Sequence, residues 1–382
     1  MDFAYTEEQE NLRKEIVRFA RQKLNAGVEQ RDQEHAFSHE NWAAAGEMGL
    51  PGLPVPVEYG GLGLDPLTTA IALEAFGYGC EDSGLVFSVC AHLLACVVPI
   101  WKHGTEEQKQ RWLPRLANGE LIAVNCMSEP GSGSDAFSMT TRAVADGEGF
   151  RITGTKTFAS NGPVADLALV FAMTDPEKGF SGGCTAFVVE KGAPGYQLGQ
   201  TFHKMGLRTS PIGEMVFDDV YVGPENVIGG VGAGSGHFMA AMDWERICLF
   251  ASHVGTLQRI MEHAIKYART RKQFGQPIGK FQAVSHRIVD MKVSLEAARW
   301  LTYRSAWLLG NKKHVSMEAS ITKVFVSESL MKAALGNVQV LGGYGFMSEY
   351  PAERALRDAV GSTLYSGTNE IQRNIIASWL GL

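Results

Sequence analysis

Two kinds of sequence pattern divide this chain, and their order limits the folds open to it. Residues 7–25 place Leu12, Ile16, Phe19, Ala20 and Leu24 on one helical face, with Glu, Arg and Lys elsewhere. Further helical text covers 40–48, 66–78, 85–102 and 106–116, broken by Gly- and Pro-rich loops at 51–54 and 60–63. Near Leu121 the pattern turns to short β-branched runs at 121–126, 149–158, 167–173, 184–190 and 214–220, with turn signals at Asp146-Gly147 and at 190–192. Nothing of helical length fills the gaps, so a mostly antiparallel sheet or barrel is expected rather than βαβ units. From about Ser235 helices return at 242–268, 282–309, 316–340 and 370–380, the first three long enough for a bundle. The expected class is α+β, with an N-terminal helical domain (1–120), a middle β domain (121–234) and a C-terminal helical bundle (235–382). A Rossmann domain is not expected, because the glycine-rich 229–234 is read as lacking its strand-turn-helix setting.

Composition narrows the function classes. The 382 residues carry 35 Lys plus Arg against 41 Asp plus Glu, a formal charge of −6, so no global field draws a nucleic-acid backbone. The six cysteines form no CxxC pair and sit among apolar residues, as free thiols do in a reducing compartment. Met1-Asp2-Phe3 leads into polar helical text without an apolar signal peptide. The most apolar run, 85–101, contains His92 and falls short of the roughly 20 residues that span a bilayer. A cytoplasmic protein with no membrane or nucleic-acid partner is expected. The ten histidines form no HExxH or tight cluster, so no metal is expected.

Five stretches carry candidate chemistry. The loop 126–135 offers hydroxyls, flexible glycines and free backbone donors that can cradle a polar ring or an anion, or can simply be a decorated turn. In 156–162, Phe158 and Ser160 stand two residues apart on one strand face, suited to stacking on and bonding a flat cofactor, or to an ordinary core Phe beside a surface Ser. Arg269, Arg271, Lys272, Gln273, Phe274 and Gly275 close one long helix; cations there favour the helix dipole, and a pyrophosphate clamp is the sharper reading. In 365–373, Thr368 is a reasonable N-cap with Gly367 bending the chain before it. Asp243 is read as the N-cap of a long helix, leaving Glu245 in its first turn, where a carboxylate is commonly structural.

Taken together and in order, these stretches resemble the acyl-CoA dehydrogenase family of flavoproteins over essentially the whole chain. The resemblance implies a helical domain, a middle β-barrel-like domain and a C-terminal four-helix bundle, with noncovalent FAD and a homotetramer, or at least a dimer. By it, Ser128 is the hydroxyl partner of the flavin pyrimidine edge, and Ser134 lies near the pantetheine arm and the FAD phosphates. Phe158 stands where the family usually has Trp, and Ser160 where it usually has Thr. Arg271, Gln273 and Phe274 resemble the segment that reaches a neighbouring subunit's FAD. Gln339, Gly342 and Gly343 match another FAD-contacting segment, and Thr368 and Glu370 match the final cofactor motif.

One departure carries weight. Many family members place the catalytic glutamate immediately before the Gly-Thr of the last motif, where this chain has Ser366. The family's second solution puts the glutamate on the first long bundle helix, and Glu245 occupies that position. The resemblance therefore implies that Glu245 removes the α-proton of an acyl thioester while the β-hydride leaves to the flavin. Ser366, Tyr365 and Trp244 are then expected near the substrate, with the Ser366 N–H polarising the thioester carbonyl. The stretches 84–93, 178–180 and 244–245 resemble the branch that oxidises prolyl and related aminoacyl groups on a carrier protein's phosphopantetheine, with Cys90 and His92 read as core residues. A short- or branched-chain acyl-CoA, a flavin-dependent oxygenation and a noncatalytic FAD scaffold are the rivals. The electron acceptor is expected to be an electron-transfer flavoprotein or oxygen.

Overall fold

The computed structural model describes residues 4–311 and 314–382, so the Met1-Asp2-Phe3 reading lies outside the described residues. Helices Glu7–Lys23, His39–Glu47, Pro66–Gly79, Ser83–His103 and Glu106–Ala117 build the N-terminal part, with the short Val28–Glu34 unforeseen. Their starts follow local chemistry. Thr6 and Thr105 each make a reciprocal capping box with a glutamine three residues on, and Asp65 accepts from the Leu67 and Thr68 N–H groups. Ser83–His103 runs longer than expected. Its 21 residues are long and apolar enough to cross a bilayer, an 18-residue window reaching a mean hydropathy of 2.1, yet 89% of that window is buried inside the fold.

The middle part is an eight-stranded sheet of β1 (Ala123–Cys126), β2 (Arg142–Asp146), β3 (Gly149–Ser160), β4 (Leu167–Met173), β5 (Cys184–Glu190), β6 (Tyr196–Thr201), β7 (Ile212–Val222) and β8 (Val227–Ile228). The order is β6-β7-β3-β2-β4-β5-β8, with β1 beside β4. Strands β2, β6 and β8 escaped the sequence reading because much of β2 and β6 is exposed and β8 has two residues. Most pairs are antiparallel, but β4 runs parallel to β1 and touches β2 in parallel. Its uninterrupted apolar run has a reason: Leu167, Leu169 and Phe171 face the helical core, while Ala168, Val170 and Ala172 face the sheet's own interior. The glycine-rich 229–234 does follow a strand and precede a helix, contrary to expectation. Because β8 pairs antiparallel with β5, no βαβ unit results.

The C-terminal part packs the long helices Gln282–Asn311 and Ser316–Leu341 against an opening helix, with the closing helix Asn369–Trp379 and the unforeseen Pro351–Gly361 against Ser316–Leu341. The opening helix begins at Gly234, eight residues earlier than expected, runs to Trp244, widens into a π-helical segment Glu245–Leu249 and continues as Phe250–Thr270. Asp243 is therefore mid-helix, not an N-cap, and Glu245 is not in a first turn. One of the glycines that hide this start is needed there: a Cβ on Gly234 would press on the Thr185–Ala186 backbone of β5. The helix is seated against Pro66–Gly79, where a Cβ on Gly77 would strike the Ser252 carbonyl and one on Gly255 the Glu74 carbonyl.

Candidate active site

The π-helical segment begins at Glu245. Such a widening adds a residue to one turn and recurs at functional sites. A second π-helical segment, Leu93–Val97, touches the first, and Ala95 and Glu245 both face a cavity of about 160 Å³. Phe158, Ser160, Tyr365, Ser366 and Gly367 line it too, so five of the expected site residues, Glu245 among them, meet in one place. Sequence reading missed Asn125 and Met242 on its wall, while Phe87 and Ala91 come from the stretch already singled out.

Glu245 is buried at 7% exposure, and Ser366 Oγ donates to its Oε1 at 2.5 Å. Burial lifts its pKa above the ordinary carboxylate value, against the pull of the Ser366 hydroxyl and the Arg246 and Lys323 charges. The serine thus has a second role beside its backbone: it holds the carboxylate. Ser366 and Gly367 have φ of 58° and 81°, left-handed conformations. Arg246 Nε and Gln372 Nε2, each at 3.1 Å, both donate to the Ser366 carbonyl and lock that bend. The Ser366 N–H finds no acceptor among the described residues. Behind the loop, buried Lys323 donates to Thr363 O at 3.1 Å and Asn369 Oδ1 at 2.7 Å; burial and then the Arg246 charge push it down to about 7.

Phe158 sits at a bulge in the β3–β7 pairing with φ of 53°, and it is 65% exposed rather than a core ring. With Ser160 on the same cavity wall, an exposed aromatic face and a hydroxyl fit a flat, hydrogen-bonding ring cofactor. Ser128 lies outside the cavity lining; its carbonyl accepts the Thr157 N–H at 2.8 Å, beside Phe158. Sequence reading missed what fixes that loop. Lys156 Nζ donates to Glu129 Oε1 at 2.9 Å and to Met127 O at 3.0 Å, both residues buried. Burial alone would raise Glu129, but Lys156 and bonds from Thr141 and Thr140 hold it at about 2.

A second group gathers elsewhere. Arg271, Gln273, Gln339, Gly342 and Gly343 line an open surface cleft of about 510 Å³. The helix ends at Thr270. Lys272–Gln273 pairs with Gln276–Pro277 around a turn at Phe274 and Gly275, so these residues form a hairpin rather than the helix end that was expected. Phe274 stands 92% exposed, and a Cβ on Gly342 or Gly343 would meet nothing within 4 Å.

The remaining residues line neither space. Ser134 is exposed on its loop. Trp244 is buried edge-on to Trp101 at 6.2 Å. Thr368 is the N-cap it was read to be, its Oγ1 accepting from the Ile371 N–H at 3.3 Å, with Glu370 exposed in the helix's first turn. His92 is a core residue as read: Nδ1 accepts from the Ala123 N–H and Nε2 meets the Leu116 carbonyl. No group of three or more metal-ligating side chains occurs among the described residues.

Known proteins share the three-part fold. The acyl-CoA dehydrogenase N-terminal, middle and C-terminal domains match residues 6–120, 125–220 and 232–381. The chain belongs to the acyl-CoA dehydrogenase family. It is thus an FAD-dependent oxidoreductase of acyl thioesters, acting at a CH–CH bond. It is 41% identical to an L-prolyl-[peptidyl-carrier protein] dehydrogenase of Pseudomonas fluorescens, with 100% of both chains covered. It is also 38% identical to the short-chain specific acyl-CoA dehydrogenase of Clostridium acetobutylicum, covering 99% of each chain. Among solved structures it superposes on the prolyl acyl carrier protein oxidase AnaB with a TM-score of 0.97 at 42% identity, covering 99% of this chain and 100% of that one.

Proposed function

We propose that this protein oxidises a prolyl or similarly compact acyl group held as a thioester on a carrier protein's phosphopantetheine, in specialised metabolism in the cytoplasm, with Glu245 as the base. The observation that carries the reading is the buried Glu245 carboxylate, bonded to Ser366 on the wall of a small cavity. Bound FAD supplies a two-electron hydride acceptor at the same cavity. Glu245 takes the proton from the substrate's α-carbon; its raised pKa makes it a stronger base than an ordinary carboxylate. The free Ser366 N–H, fixed by Arg246 and Gln372 on the neighbouring carbonyl, donates to the thioester oxygen as charge develops there. Phe158 and Ser160, with Ser128, hold the flavin ring. Ser134 and, from the closing helix start, Thr368 and Glu370 complete its surroundings, while Trp244 supports the substrate wall from behind.

The separate cleft supports a homotetramer in which Arg271, Gln273 and Phe274, with Gln339, Gly342 and Gly343, serve a neighbour's FAD. Electrons then pass to an electron-transfer flavoprotein or to oxygen. The deciding experiment is anaerobic mixing of the holoenzyme with matched prolyl thioesters. Fast bleaching of the flavin by prolyl-carrier protein and slow bleaching by prolyl-CoA is expected. Equal turnover of both, or preference for butyryl-CoA, overturns the carrier reading in favour of a short-chain acyl-CoA dehydrogenase, the second reading that the Clostridium relative favours. Oxygenated product would instead mark an oxygenase.

A further inference from the structure

Tyr365 forms one wall of the Glu245 cavity, and what holds it lies behind that wall. Its phenol oxygen is 2.6 Å from His253 Nε2, and its ring meets Phe87 at 4.6 Å and Phe250 at 6.0 Å between centroids. His253 does not line the cavity; it is buried, edge-on to Phe250 at 5.0 Å. The direction of the bond follows from its neighbours. Ser252 Oγ donates its single hydrogen to the Leu249 carbonyl at 2.6 Å, so toward His253 Nδ1 at 3.5 Å it can only accept. Nδ1 then carries the imidazole proton, and Nε2 accepts from the Tyr365 O–H. Burial, then the Lys323 charge, pushes His253 down to about 3, which keeps the ring neutral and the acceptor in place at every working pH.

We propose that His253 is a positioning residue for acyl-group specificity: by accepting the Tyr365 hydroxyl it fixes the phenol as the end wall of the acyl pocket and restricts the enzyme to compact acyl groups. The inference rests on reading the Glu245 cavity as the acyl site. Its 160 Å³ must also take in part of the flavin ring beside Phe158 and Ser160, which leaves room for a compact acyl group and not a long chain. Turning Tyr365 aside to admit one would leave a buried hydroxyl without its acceptor, which the interior opposes. Nothing in the motif around Glu245 or Ser366 encodes this; the pair spans 112 residues.

The test compares kcat/KM for butyryl- and octanoyl-pantetheine thioesters in FAD-loaded enzyme. His253→Ala should raise the octanoyl-to-butyryl ratio at least tenfold, chiefly through a lower octanoyl KM. His253→Gln, which can still accept the hydroxyl, should hold the ratio near wild type. Tyr365→Phe keeps the ring and removes the tether, so it should move the ratio in the same direction and tests the idea even where His253→Ala fails to fold. A ratio within twofold of wild type in both His253→Ala and Tyr365→Phe would overturn the end-wall role. Failure of any thioester to reduce wild-type flavin would instead overturn the acyl-site reading beneath it.

Discussion

The two candidate regions are built in opposite ways. Around Glu245 a run of polar contacts is completed within the same chain, with the Ser366 N–H left open: the carboxylate meets Ser366, the Ser366 carbonyl meets Arg246 and Gln372, and Tyr365 meets His253. That cavity is small and its carboxylate buried. The cleft around Arg271 is about three times larger and its polar residues Arg271, Gln273 and Gln339 are exposed; the Arg271 guanidinium rests over the Tyr344 ring at 5.6 Å. Under the proposed function the contrast is a division of labour. Proton chemistry needs a preorganised, dry site that one chain can finish by itself. Holding a charged cofactor tail needs reach and cations, which can be shared between copies.

The largest effect expected is at the first region. Glu245→Gln should keep FAD bound and slow its reduction by substrate about 10²- to 10⁴-fold, the usual worth of a positioned general base; rapid-mixing absorbance checks it. A large gain of rate in Ser366→Glu would break the relocation of the base to the helix. Next comes the second region: Arg271→Ala should leave Glu245 chemistry intact in FAD-saturated enzyme but weaken FAD about 10- to 100-fold, the loss of a charge-assisted bond. Titration of the apoenzyme with FAD measures this, and sedimentation should show that the oligomer, not the isolated subunit, binds tightly.

Ser366→Ala sharpens the comparison through pH. Removing the hydroxyl that favours the carboxylate should raise Glu245 further, so the acid limb of the pH–rate profile moves to higher pH and the deficit shrinks as pH rises. The smallest effect at neutral pH concerns the Glu129 anchor, whose pKa is depressed. Its stabilisation is full above the unfolded carboxylate pKa and is lost as pH falls toward about 2. Thermal melts of Glu129→Gln and wild type should therefore differ near pH 6 and converge in strong acid.

Much of the fold was legible because periodicity reports burial directly. The helices 7–25 and 106–116 and strands 167–173 and 184–190 appear within a residue or two of where the pattern places them. The misses have physical causes. β2 and β6 are largely exposed and lack apolar alternation, and the bundle's opening helix starts on Gly234, which close contact with β5 requires whatever its helix propensity. Glu245 and Ser366 could be paired as candidates from motif order, yet the hydrogen bond joining them spans 121 residues and no local pattern announces it.

From its own text, then, the chain determines where helices and strands form and which carboxylate and hydroxyls are available, since these depend on neighbours a few residues away. Only the tertiary structure decided that Glu245 lies on a π-helical turn, that Lys156 anchors the loop beside Phe158 and that His253 stands behind Tyr365. Such contacts close loops of tens to hundreds of residues, and whether a polar group is buried, paired or free is a property of the packed interior and not of the adjacent sequence.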